Sequence, residues 1–69
     1  MTTEQIKTAT ASGERAGRAV KQRDNSRSTE EIRWFGEYRR SQPEADRREL
    51  QAIFDEAYRS EARGRQTCT

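Results

Sequence analysis

Apolar and small residues in this chain recur at steps of three and four, the period of one helix face, and they do so in three stretches divided by short polar clusters. The first stretch carries Ile6, Ala9, Gly13, Ala16 and Val20. The second carries Ile32, Trp34, Phe35 and Tyr38. The third, with the strongest periodicity, carries Leu50, Ile53, Phe54, Ala57 and Tyr58. Nothing alternates with the period of two that a half-buried strand requires. The pattern therefore predicts an all-α chain, a single small helical domain spanning 1–69. It has an N-terminal helix or arm near 3–23 and helices at about 29–41 and 43–62.

The punctuation between these stretches agrees. Thr2 and Gln5, Ser28 and Glu31, and Ser41 and Glu44 each have the spacing of a capping box, in which a hydroxyl and a Glu or Gln side chain satisfy the free amides of a helix start. Asp24-Asn25-Ser26-Arg27-Ser28 is a run of turn formers and reads as a loop. Pro43 disfavours helix at the residue before it and is tolerated in a first helical turn, so it ends one helix and begins the next. Gly64 is a plausible stop for the last helix, and residues 1–2 and 65–69 are expected to fray.

The two later helices are expected to form a hairpin, Ile32 and Phe35 packing on Leu50, Ile53 and Ala57. On a wheel of about 100° per residue, Ile32, Trp34, Phe35 and Tyr38 spread over about 160°, wider than the roughly 100° stripe a core needs. One margin of that helix thus has apolar surface to spare. The first stretch is thinner, and Gly13 and Gly17 each cost about 1 kcal/mol relative to Ala in a helix. Two readings stay open for it. It is a mobile arm, or Ala9, Gly13, Ala16 and Gly17 let another helix come close, across the hairpin or in a second copy.

Composition sharpens the problem of stability. Hydrophobic residues make up only 29% of the 69-residue chain and charged ones 38%, with a net charge of +2. Chains this short bury a smaller fraction of their surface than larger ones and usually need a disulfide, a metal, an oligomer or a partner. The single cysteine, Cys68, leaves no intrachain disulfide, and with no histidine there is no ordinary zinc ligand set. A homodimer or a bound protein is what remains. No apolar run exceeds three residues, far short of a membrane span or a signal-peptide core. A cytoplasmic setting is expected, with no membrane association.

No catalytic constellation is visible. Nucleophile and base pairs usually draw on His or on a Lys or Cys of shifted pKa, and the chain has no His and two Lys. Asp55 and Glu56 are adjacent carboxylates that point about 100° apart on a helix. The glycines at 13 and 17 lack the Lys-Ser/Thr ending of a phosphate loop. The chain is accordingly expected not to be an enzyme and to carry no cofactor or metal.

Charge is uneven along the chain. Residues 1–27 hold six positive and three negative groups, with Arg15, Arg18, Lys21, Arg23 and Arg27 as the one basic concentration. Elsewhere acids are interleaved with arginines, and intrahelical pairs such as Asp55 with Arg59 are expected to neutralise them. Five aromatics on two short helices exceed what a two-helix core covers, and Trp, Tyr and Arg are the residues in which binding energy concentrates.

These features favour a non-enzymatic regulator or inhibitor that binds a larger protein through Trp34, Tyr38 and Tyr58, with Arg39 and Arg40 beside them. Its size, polar balance and lack of chemistry are those of small accessory regulators of phages or plasmids, an analogy of class. The alternative is a nucleic-acid-binding regulator that sets Arg15, Arg18, Lys21, Arg23 and Arg27 on phosphates.

Overall fold

A computed structural model describes residues 1–63, so Gly64, Cys68 and the expected fraying of 65–69 lie outside the described residues. It contains three helices, α1 (Thr3–Lys21), α2 (Asn25–Arg40) and α3 (Glu44–Ala62), and no strand among the described residues. They pack as a flattened bundle measuring 35 × 29 × 16 Å.

The helix ends follow from local chemistry. Thr2 caps α1 with both halves of a capping box: its hydroxyl accepts from the Gln5 amide at 3.2 Å, and its own amide donates to Gln5 Oε1 at 2.8 Å. The chain leaves α1 through a Schellman motif, in which Arg23 N–H donates to the Val20 carbonyl and Asp24 N–H to the Ala19 carbonyl. Arg23 stands at φ 62 in the left-handed position that glycine usually fills. An L side chain there costs about 1–2 kcal/mol.

This tight exit moves the start of the second helix. Asp24, not Ser28, is the N-cap of α2, its Oδ1 accepting from the Arg27 amide at 3.1 Å, so the helix begins at Asn25 and ends at Arg40 rather than running 29–41. Ser28 lies within the helix and is buried. The Ser41–Glu44 box does not form either. Pro43 is the N-cap of α3 without a side-chain cap bond, α3 starts at Glu44 rather than 43, and the Ser41 hydroxyl donates to the Tyr38 carbonyl at 2.6 Å. Arg47 closes this turn, Nε donating to the Gln42 carbonyl and Nη2 to the Arg40 carbonyl, both at 3.0 Å. Gln5 ties the start of α1 to the same place through Gln42 Oε1 at 2.7 Å.

The packing corrects the expected hairpin core. The principal interface is between α1 and α3, that of α1 with α2 is smaller, and α2 meets α3 least. The first stretch is therefore a central helix, and the helix that its small residues admit is α3 of the same chain. A Cβ at Gly13 would stand 2.5 Å from the Phe54 carbonyl oxygen and 2.9 Å from Ala57 Cβ; one at Gly17 would stand 2.5 Å from the Tyr58 carbonyl oxygen. The core comprises Ala9, Ala16, Phe35, Leu50 and Phe54, with Tyr38, Ile53 and Tyr58 packed on its margin. Ile32, expected inside, is 45% exposed. With α1 covering α3, α2 reaches the core mainly through Phe35. Ser12 of α1 is fully buried, and its hydroxyl has no hydrogen-bond partner.

One substitution made at three glycines should change stability in opposite directions. Gly36 has no atom within 4 Å of an added Cβ, so Gly36→Ala should stabilise by about 1 kcal/mol through helix propensity alone. Gly13→Ala and Gly17→Ala gain the same propensity but force α1 from the α3 backbone, and overpacking of this kind costs about 1–3 kcal/mol. Urea unfolding followed by circular dichroism should place the Gly36 variant above the parent and the other two below it.

Candidate protein-binding face

Helical spacing sets Trp34 and Tyr38 one turn apart on α2. Their rings stack with centroids 5.5 Å apart and planes 7° from parallel. Tyr38 leans on Phe35 at 6.1 Å, Phe35 stacks across the helices on Phe54 at 4.4 Å, and Phe54 meets Tyr58 at 6.2 Å. The five aromatics therefore form one continuous row. Phe35 and Phe54 in its middle are buried, Tyr38 and Tyr58 are partly covered, and Trp34 at one end is 48% exposed.

The same set supplies both the core and the exposed apolar end. Trp34 is held at the surface by Tyr38, which rests on Phe35, so its orientation is set by contacts that reach the interior. Offset aromatic stacks of this geometry contribute about 0.5–1.5 kcal/mol beyond the area they bury.

The arginines expected beside the aromatics are placed differently. Arg39 follows Trp34 by five positions, about 140° around the helix, and lines a shallow open groove with Glu44, Arg47, Arg48, Gln51 and Asp55 of α3. Its Nε is buried and has no hydrogen-bond partner. Arg40 is exposed at the end of α2. Trp34, Tyr38 and Tyr58 are thus joined by the aromatic row, while Arg39 belongs to the groove. No sequence motif marks that groove, because it depends on where α2 lies against α3.

The basic set of the alternative reading is also divided. Arg15 Nε lies 3.2 Å from Glu31, and Arg18 lies 3.6 Å from Glu61 and 3.9 Å from Glu14. Lys21, Arg23 and Arg27 are exposed around the α1–α2 turn, with no carboxylate within 4.0 Å among the described residues. The anticipated Asp55–Arg59 pair does not form, and Asp55 instead accepts from Gln51 Nε2 at 2.9 Å. No helix among the described residues is long and apolar enough to cross a membrane, and no group of three or more of their His, Cys, Asp or Glu side chains could hold a metal ion.

Fold and surface together define, among the described residues, an all-helical three-helix protein in which a half-exposed Trp34 stacks on a partly buried Tyr38, with a groove of mixed charge beside α2. Comparison with protein-family models, curated proteins and solved structures gives no match for the chain.

The row predicts unequal contributions from neighbouring aromatics. Phe35→Ala, which empties a buried ring position, should cost about 3–5 kcal/mol. Trp34→Ala, at a half-exposed position, should cost less than about 1.5 kcal/mol. Paired thermal and chemical melts measure this difference, and equal losses would show that Trp34 is held as a core residue.

Proposed function

We propose that this chain is a non-enzymatic binding protein that regulates or inhibits a larger protein partner, acting in the cytoplasm as small phage or plasmid accessory proteins do, with Trp34 and Tyr38 as its anchor. The observation that carries the reading is the Trp34–Tyr38 stack, in which a half-exposed Trp34 is held against a partly buried Tyr38. Ordering a flexible side chain at an interface costs about 0.5–1.5 kcal/mol, and stacking lowers that cost before the partner arrives. Tyr58 extends the anchor from the far end of the row, and Arg39 and Arg40 supply cationic groups from the other margin of α2.

The alternative places Arg15, Arg18, Lys21, Arg23 and Arg27 on nucleic-acid phosphates. It is supported by the exposed Lys21, Arg23 and Arg27 around one turn, and weakened by the carboxylates facing Arg15 and Arg18. Affinity capture from host lysate, with and without nuclease, compares the two. Recovery of one identified protein partner by the parent chain, unaffected by nuclease and lost in Trp34→Ala/Tyr38→Ala, is expected. Nuclease-sensitive recovery that survives those substitutions and disappears when the five basic residues become Ala would overturn the preference. Phosphate binding by Z cations would also weaken with salt at a logarithmic slope near −0.9Z.

We further propose a twofold homodimer in the absence of partner. Its support is the apolar surface left outside, with Ile6, Ile32 and Trp34 each 42–48% exposed on a chain with few large apolar residues, together with the prevalence of twofold symmetry among oligomers. Sedimentation equilibrium at high micromolar concentration should give twice the 8.0 kDa chain mass. A monomer mass with a cooperative melt would refute the dimer while leaving the partner-binding proposal standing.

A further inference from the structure

Neighbours three and four positions apart meet on a helix surface, so the residues one turn to either side of Trp34 on α2 are Glu30, Glu31, Glu37 and Tyr38. Tyr38 covers one face of the indole, with the rings 7° from parallel. The part of Trp34 that stays 48% exposed is therefore the opposite face and the edge. Of the three glutamates, Glu31 is paired, with Arg15 at 3.2 Å. Glu30 and Glu37 are exposed, and neither has a cationic group within 4.0 Å among the described residues. The arginines of α2 lie elsewhere. Arg33, Arg39 and Arg40 stand about 100–140° around the helix from Trp34, and Arg27 is two turns away, about 10 Å along the axis. On the other side of the aromatic pair, the Arg15–Glu31 and Gln5–Gln42 contacts set α1 antiparallel to α2. Thr8 and Ala11, on the face of Arg15, are the uncharged residues abreast of the pair, and Lys7 is turned about 80° from that face.

An indole face bordered by two unpaired carboxylates attracts a cation in two ways. The ring quadrupole draws positive charge to the face, and the carboxylates offer acceptors at the rim. An anion is repelled on both counts. Among cations, a guanidinium fits best, because it is planar and weakly hydrated, stacks on an aromatic face and still presents an edge of N–H donors; an ammonium is compact and strongly hydrated. We infer that the Trp34 margin of α2 receives an arginine side chain of the protein partner, its guanidinium plane on the free indole face and its charge between Glu30 and Glu37. This inference rests on the reading of Trp34 and Tyr38 as an anchor for a protein, and it names the residue which that anchor takes. The partner's contact segment is basic at this point, and an acidic segment or a nucleic-acid backbone is turned away from this margin.

The single tryptophan gives one indole N–H resonance, which reports on the site directly. A short capped peptide with one arginine among glycines and serines is titrated into the full chain at constant ionic strength, beside counterparts that carry lysine or the uncharged isostere citrulline. The indole resonance should move saturably with the arginine peptide, less with lysine and not with citrulline. Glu30→Gln/Glu37→Gln removes both charges at nearly constant size and should weaken the arginine response about fivefold, the loss of two exposed ion pairs, with an unchanged circular dichroism spectrum. Glu56→Gln, at an exposed acid of α3, should leave it as it was. An equal response to citrulline, no response, or an equal loss in the Glu56 variant would overturn the inference. A shift that grows with protein concentration in the absence of peptide would assign the site to an arginine of a second copy and overturn it as well. Lysate capture separates this failure from that of the anchor. Recovery of a protein that is lost in Trp34→Ala/Tyr38→Ala but unchanged in Glu30→Gln/Glu37→Gln would leave the anchor standing and refute the arginine.

Discussion

The distance between α1 and α3 is set by two side chains that are absent. At Gly13 and Gly17 the α3 backbone comes where a Cβ would stand, within 2.5 Å of the carbonyl oxygens of Phe54 and Tyr58. Contact this close lets α1 cover the apolar stripe of α3 with its own backbone and with Ala9 and Ala16, so a chain with few large apolar residues still excludes water from Leu50 and Phe54. Dispersion between closely packed atoms replaces part of what bulky side chains would supply. The helix propensity lost at the two glycines is the local cost of that packing.

Once α1 occupies α3, little of α3 remains for α2. The second helix is fastened by Phe35 on Phe54, by Arg15 with Glu31, and by the Arg47 and Gln5 contacts at the proline turn. Its other apolar residues are left partly outside. Trp34 and Ile32 are exposed because the surface that would have covered them is already engaged. The exposed aromatic end and the arginine groove are thus consequences of the same packing decision, on the two margins of α2.

That arrangement also sets an apolar surface and a charged one on separate margins of α2. Trp34 and Tyr38 are stacked in one orientation, and on the other margin Arg39 lines the groove with its Nε–H buried and without an acceptor. A protein partner that used both would gain affinity from the aromatics and orientation from the charge, since charged contacts govern specificity more than total affinity.

The sequence by itself determined an all-α chain with two helices after residue 28 and a helix or arm before it, because the signals are local: a period of three to four residues, Thr2 with Gln5 at one start, and Pro43 at a turn. It left open whether the stretch with Ala9, Gly13, Ala16 and Gly17 is a mobile arm or admits a neighbouring helix. It did not determine which helix, since close approach leaves the same stripe for a partner in the chain as for one outside it. The tertiary structure decided that the neighbour is α3, and with it that Ile32 faces solvent while Ala57 faces α1. Even some helix ends were settled at that level. Asp24 and Ser28 are both competent caps, and the Schellman exit of α1 leaves Asp24 in position to cap, so that α2 gains a turn and Ser28 becomes a small buried residue. The unpartnered Arg39 Nε lay beyond reach of the sequence for the same reason. Whether an arginine meets a nearby acid depends on the relative placement of two helices, which a one-dimensional charge pattern does not contain.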